Sequence, residues 1–190
     1  MDISIGDSGM ISRIVKESLS KVFGEEEGAK LYEALYFREI KTNRLLHSVN
    51  ELIIKTQHSD KLKDLLERIV EGLSSRVDVK PSVGELSVKK GGSTDVVINV
   101  TNRFDIPLLF DVALEDRDSF LPIVYNKIEG AYFNGFSMES VIDAGSSGNF
   151  KFKVGYEKEN EGTTTTLFIV VRSSDVEGLN RIEKLRVAFV

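Results

Sequence analysis

The stretch from Leu65 to Val88, LLERIVEGLSSRVDVKPSVGELSV, changes its apolar period at Val77. Before this point apolar residues recur every three or four positions, as they do on one face of a helix. After it they alternate at every second position, as they do in a half-buried strand. We therefore predict an α+β protein with segregated halves: a helical bundle or hairpin over residues 1–77 and an antiparallel β-sandwich over residues 78–190.

The charge of the chain is spread evenly over these two halves. Lys and Arg total 25 and Asp and Glu total 30, which gives a net charge of −5. A nucleic-acid-binding protein normally carries a basic stripe that neutralises phosphates, and the sequence has none, so we expect no nucleic-acid partner. The sequence also contains no Cys, which excludes disulfides and thiolate metal sites.

The apolar runs of the chain are short. The first residues lack the basic and apolar regions of a secretory signal, and no run approaches the roughly 18 residues that a membrane-spanning helix needs. We therefore expect a cytoplasmic protein with no membrane partner. A secreted fragment that has lost its signal is the alternative.

Three helices are predicted in the first half. Ser8 is the expected N-cap of the first helix, which runs to about Phe23 and stops at Gly24. The third helix is expected to be capped by Ser59 and Asp60. Its apolar stripe consists of Leu62, Leu65, Leu66, Ile69, Val70 and Leu73.

The second helical stretch, over about residues 25–57, allows two interpretations. Its apolar seam is interrupted by Arg38 and Thr42, so it is either one helix with a polar middle or two helices broken near Thr42. One continuous helix of this length would be about 50 Å long. Its apolar side would be covered either by the other two helices or by a second copy of the chain.

The second half shows about seven strands separated by turns rich in Gly, Asn and Asp, a pattern typical of a two-sheet sandwich. The run Thr165–Arg172 is apolar almost throughout, as in a central strand. The expected inward positions are Leu86, Val88, Val96, Ile98, Val100, Leu108, Phe110, Val112, Leu114, Phe150, Phe152, Val154, Leu185, Val187 and Phe189.

Two segments of this half carry a family resemblance. The segments GELSVKKGGSTDVVINVTN (84–102) and DAGSSGNFKFKV (143–154) resemble immunoglobulin-like sandwich domains of the CARDB and fibronectin-III-like kind. The resemblance covers about residues 78–190 and implies an Ig-like β-sandwich. It also implies a binding or spacer role, since such domains bring no catalytic residue to carry over.

An aromatic-rich segment between Asp118 and Phe136 departs from a minimal sandwich. One interpretation is an edge hairpin or a flap packed on the helices. The other is a partner-binding or ligand-binding surface made by Phe120, Tyr125, Tyr132 and Phe133, because aromatic side chains are enriched at such sites. If the chain has an inter-domain or oligomer contact, we expect it here.

Four carboxylates form a weak candidate for a calcium site. Glu115, Asp116 and Asp118 follow a predicted strand, and Asp105 lies in a nearby predicted turn. Carboxylate oxygens are ligands that Ca²⁺ prefers, but Arg117 within the cluster would repel the ion. A solvated loop is the alternative interpretation.

The sequence contains no pairing of a nucleophile with a base and no nucleotide-binding Gly loop, so we predict no enzymatic activity and no cofactor. The expected function is a non-catalytic interaction or assembly protein, with a protein partner or a homodimer. The alternative is a β-sandwich protein that binds a small ligand or calcium.

Overall fold

A computed structural model describes residues 9–36, 44–116, 124–128, 131–134, 137–155, 162 and 164–190. Within these residues four helices precede ten strands. The helices are α1 Met10–Phe23, α2 Glu25–Tyr36, α3 Leu45–Lys55 and α4 Leu62–Ser74. The strands are β1 Val77–Pro81, β2 Glu85–Val88, β3 Ser93–Asn102, β4 Leu108–Asp116, β5 Val124–Ile128, β6 Ala131–Asn134, β7 Ser137–Ile142, β8 Ser147–Gly155, β9 Thr164–Ser173 and β10 Asn180–Phe189.

The change from helices to strands falls where the sequence predicts it. The last helix ends at Ser74 and the first strand begins at Val77. The carbonyl of Arg76 between them accepts a 2.9 Å hydrogen bond from the N–H of Arg103, which anchors the junction to the loop after β3. The segregated α+β class is confirmed. That each half is a domain of its own stays a prediction.

The second helical stretch folds back on itself. The Nε2 atom of His58, just after α3, lies 3.7 Å from the Oε1 atom of Glu27 at the start of α2. In one continuous helix these residues would be about 46 Å apart, so the interpretation as a single helix is wrong. Residues 37–43, which include Arg38 and Thr42, lie outside the described residues.

The four helices form a closed bundle in which α1 contacts α2 and α4, and α3 contacts the same two helices. The apolar side of the second helical stretch is thus covered by the chain's own helices. No helix in the described part of the chain is both long and apolar enough to cross a bilayer. The buried apolar residues of the bundle are Ile11, Ile14, Val15, Leu19, Leu31, Tyr32, Leu35, Leu45, Val49, Leu52, Ile53, Leu65, Ile69 and Leu73.

The helix starts differ from the predicted caps. Gly9 is the N-cap residue of α1 and offers no side chain, while Ser8 lies outside the described residues. Ser59 and Asp60 form a 3-10 turn, and Lys61 is the N-cap residue of α4. Local sequence did not reveal the α1 cap because the acceptor comes from the strand half, as described below.

Gly24 alone connects α1 and α2, with φ of 86° and ψ of 164°, a conformation open to glycine and strained for other residues. This short link forces the helices into close contact. A Cβ atom on Gly28 would lie 2.8 Å from both the Cα and the N atoms of Ser20, so α2 approaches the α1 backbone more closely than any other residue permits.

The strands form two five-stranded sheets, in the orders β1-β3-β8-β5-β6 and β2-β10-β9-β4-β7. All the inward positions predicted from the alternating pattern are buried, and they join the buried helix residues in one hydrophobic cluster. The strand β9 is central in its sheet, between β10 and β4, as its apolar run predicted.

The sheets differ from the prediction in two ways. The strand β2 pairs with β10 in parallel, so the antiparallel prediction is wrong at this pair; the two strands are distant in sequence, and no hairpin dictates their relative direction. The strand β1 was not predicted, because its residues were assigned to the junction. The strands β5 and β6 form an antiparallel hairpin at the end of their sheet, as in the edge-hairpin interpretation of the aromatic-rich segment.

Candidate interaction surfaces

The first contact between helices and strands is a helix cap. The Oδ2 atom of Asp105, in the loop between β3 and β4, accepts a 3.0 Å hydrogen bond from the N–H of Met10, the first residue of α1. The first N–H groups of a helix have no partner within the helix, and the helix dipole favours a negative charge there. Asp105 therefore replaces the side chain that Gly9 cannot provide.

A second cap repeats this arrangement at α3. The Oε2 atom of Glu177, in the loop between β9 and β10, accepts a 3.0 Å hydrogen bond from the N–H of Leu46. The N-cap residue of α3, Arg44, makes no side-chain cap of its own. The N-termini of two helices of the bundle are thus capped by carboxylates from two different inter-strand loops.

The loop between β9 and β10 also packs between two helices. Gly178 adopts a φ of 84°, and a Cβ atom there would lie 2.7 Å from Cδ1 of Leu46 and 3.2 Å from Cγ2 of Val70. Beside it, the Oγ atom of the buried Ser74 lies 3.3 Å from both the N and the O atoms of Asn180. The end of α4 is therefore tied to the start of β10.

Asn102 holds the other loop in position. It is fully buried, and its Nδ2 atom donates to the carbonyls of Ile106 and Ile142 at 2.8 and 2.9 Å. Its Oδ1 atom accepts a 2.9 Å hydrogen bond from the N–H of Phe104. This network fixes the loop that presents Asp105 to α1.

These contacts place the junction between bundle and sheets at residues 102–107 and 174–180. The expectation of an inter-domain or oligomer contact at the aromatic-rich segment stays a prediction, because much of that segment lies outside the described residues. The sequence signal that was missed is the acidic turn Asp175-Val176-Glu177-Gly178, in which an acceptor stands beside a residue that tolerates positive φ. In the structure Asp175 also accepts a 2.7 Å hydrogen bond from the N–H of Leu109.

The aromatic hairpin, defined as β5 and β6, begins beside the end of β8 that is distant from the bundle, and β5 runs from there antiparallel to β8. Its β5 strand pairs with β8 at Val124↔Val154 and Tyr125↔Lys153, whereas the Ser147 end of β8 pairs with Thr101, next to the bundle. These two ends of β8 are about 20 Å apart. Tyr125, Tyr132 and Phe133 belong to this hairpin, whereas Phe120 lies outside the described residues.

A pocket of about 280 Å³ lies beside the base of this hairpin, lined by Asp95, Lys151, Phe152 and Lys153. The carboxylate of Asp95 lies 2.7 Å from Nζ of Lys151 and 3.9 Å from Nζ of Lys153. Among the described lining residues two bases face one acid, a net charge of +1, and we call this the basic pocket. Tyr125 is the register neighbour of Lys153, so one position of the predicted aromatic surface lies on the strand next to the pocket.

Two of the candidate calcium ligands, Asp105 and Glu115, are not brought together. Glu115 lies about 23 Å along β4 from the first residue of that strand, Leu108, and Asp105 lies in the loop that precedes Leu108. Asp105 caps α1, and Glu115 accepts a 2.9 Å hydrogen bond from Nη2 of Arg172. Asp116 ends β4, and Asp118 lies outside the described residues. In the part of the chain that the structure describes, no three His, Cys, Asp or Glu side chains could share a metal.

A second surface groove, of about 340 Å³, lies between α1 and α4. Its lining mixes Lys21, Arg68 and Arg76 with Glu17 and Glu71, and Arg68 is already paired with Asp64 at 3.0 Å. The opposite charges nearly cancel, so the groove shows no preference for an anion or a cation.

No family model and no curated protein sequence matches this chain. Solved structures with a similar shape include native alpha-2-macroglobulin of E. coli, with 10% identity, a TM-score of 0.42, and coverage of 60% of this chain and 7% of that one. A FixG-related protein of Vibrio parahaemolyticus has 12% identity and a TM-score of 0.40, with coverage of 60% of this chain and 94% of that one. The CARDB domain of a Pyrococcus furiosus protein in complex with di-metal ions has 11% identity and a TM-score of 0.37, with coverage of 60% of this chain and 85% of that one.

The chain thus spans under a tenth of the E. coli protein but most of the other two. At these identities and TM-scores the likenesses carry no argument about function. What the described residues establish is an α+β chain whose helical bundle is joined to two five-stranded sheets through two inter-strand loops.

Proposed function

We propose that this chain is a non-catalytic protein-interaction protein, whose strand half is an Ig-like sandwich that binds a protein partner at the aromatic hairpin and the adjoining basic pocket. The observation that carries the proposal is the register of β5 on β8. Tyr125 pairs with Lys153, and the pocket is lined by the same stretch of β8, about 20 Å from the end of β8 that lies next to the bundle.

The chemistry of this surface suits a protein partner. Aromatic residues are enriched at protein interfaces, and the hairpin contains Tyr125, Tyr132 and Phe133. Lys is depleted at such interfaces, so Lys151 and Lys153 would act by attracting an acidic partner. The Ig-like assignment is supported by the resemblance at residues 84–102 and by the two sheets that share one core.

The test compares the natural partners of the intact chain with those of two variants, by quantitative affinity purification from its native cell extract. The first variant replaces Tyr125, Tyr132 and Phe133 with Ala. The matched control is Lys184→Glu, an exposed position on β10. We expect one set of partners that the hairpin variant loses and the control retains. Sedimentation of the purified protein will show whether a second copy of this chain is among those partners. A strict monomer whose partners are the same in all three forms would refute the proposal.

A further inference from the structure

The strand β7 is an end strand of the second sheet, and it is exposed and regular. Five of its six residues are exposed or half-buried, with Ile142 as the buried one. It pairs with β4 over six consecutive positions without a bulge. Its other side pairs with no strand in the described residues, so no described strand uses its outward backbone groups, and such groups are a template for a further strand.

The other end strands carry features that discourage strand addition, and β7 lacks them. Natural sheet edges are protected by short strands, Lys and Pro. The strand β1 contains Lys80 and Pro81, whereas β2 and β6 have four residues each. The six residues of β7, SMESVI, include neither Lys nor Pro.

The charges beside β7 favour a basic occupant. Glu139 is directly opposite Asp111 on β4, and like charges at such positions destabilise a sheet. The Oδ1 atom of Asp111 is buried and has no hydrogen-bond partner in the described part of the chain. The cation on its other side, Arg172, donates to Glu115 instead. A Lys or Arg from outside would relieve this repulsion.

An apolar contact lies two positions further along the same face. Val141 is 62% exposed and is opposite the half-buried Leu109. A strand lying along β7 would therefore place a basic residue beside Glu139 and an apolar residue beside Val141, with one residue between them. A second copy of this chain fits poorly, because its β7 would bring another Glu139 to the acidic edge.

From this geometry we infer that β7 accepts an extended, basic and apolar peptide segment of another protein as an added strand. The inference rests on the proposed role in protein interaction and identifies a second surface and the chemistry of its partner. Main-chain hydrogen bonds along β7 supply the affinity, and Glu139 and Val141 select the sequence.

The test uses two capped nonapeptides in which Val at odd positions alternates with Thr at even positions. The fifth and central residue is Lys in one peptide and Glu in the other. Binding is followed by amide chemical shifts and hydrogen exchange of the labelled full chain. We expect slowed exchange at β7 and a preference of about tenfold for the Lys peptide. The variant Glu139→Lys should reverse the preference. The variant Glu85→Lys, on the opposite end strand of the same sheet, should leave it unchanged.

Three results of the peptide experiment would overturn the inference: no response at β7 at millimolar peptide, equal binding of both peptides, or an unchanged preference in Glu139→Lys. A fourth would be a dimer that Glu139→Lys dissolves, because the edge would then belong to a second copy. If the peptides fail at β7 while the hairpin variant still loses its natural partners, the proposed function stands without this surface.

Discussion

The Oε2 atom of Glu177 lies 3.0 Å from the backbone nitrogen of Leu46, 131 residues earlier in the chain. The bond ties the start of α3 to an inter-strand loop, and Asp105 does the same for Met10 of α1. The two halves are therefore joined through helix starts that lack caps of their own.

Replacing Glu177 with Ala should lower the free energy of unfolding by about 1 kcal/mol, which is typical for a lost N-cap. The variant Glu177→Gln should lose less, since the amide oxygen still accepts the bond and only the charge is removed. Urea denaturation measures both. Glu85→Ala, an exposed position 4.0 Å from Arg186, is the control and should change stability by less than about 0.5 kcal/mol. Equal losses in all three variants would show that the cap adds nothing.

Gly178→Ala should destabilise the protein more than Gly145→Ala. Both glycines have positive φ, 84° and 69°, but a Cβ atom on Gly178 meets Leu46 and Val70, whereas one on Gly145 meets nothing within 4 Å. The difference between the two thermal shifts therefore isolates the contact of the loop with the bundle, which we expect to contribute about 1–3 kcal/mol. Matching shifts would mean that backbone strain alone accounts for the effect.

Asn102→Ala should destabilise the protein by about 3 kcal/mol or more, because it leaves two buried carbonyls and one buried N–H without their partner. Asn149 provides the comparison, since it is exposed and forms a single 3.0 Å hydrogen bond with Asn99. Its replacement by Ala should have a small effect in the same denaturation experiment. A mild effect at Asn102 would indicate that water or a shifted loop satisfies the freed groups.

Gly28→Ala should destabilise the bundle although Ala is the better helix former by about 1 kcal/mol. The added Cβ atom would meet backbone atoms of Leu19 and Ser20, and backbone cannot move aside as a side-chain tip can. The helix signal in circular dichroism should melt at a lower temperature. A raised melting temperature would show that the two helices separate at little cost.

Millimolar calcium should leave the melting temperature unchanged. Asp105 and Glu115 hold partners of their own at opposite ends of β4, so a site built on both is geometrically excluded. A saturable upward shift, which Asp116→Asn together with Asp118→Asn removes, would instead support the calcium-binding alternative.

The strand core could be predicted from sequence because alternation is a local property, and Phe110, Phe152 and Val187 all lie where it placed them. The fold-back at His58 and Glu27 and the cap at Asp105 are contacts between distant residues, which no local period reveals. The candidate site was likewise predicted only in part. Tyr125 was a candidate because it lies in an aromatic-rich segment, whereas Lys153 belongs to an ordinary alternating strand, and only the β5–β8 register makes them neighbours.

The tertiary caps also set an order of events during synthesis. The chain is made from its N-terminus, at about 5–20 residues per second, so α1 leaves the ribosome before Asp105 exists, and α3 waits for Glu177, which follows Leu46 by 131 residues. The bundle should therefore remain only loosely formed on the ribosome and consolidate after both inter-strand loops have emerged.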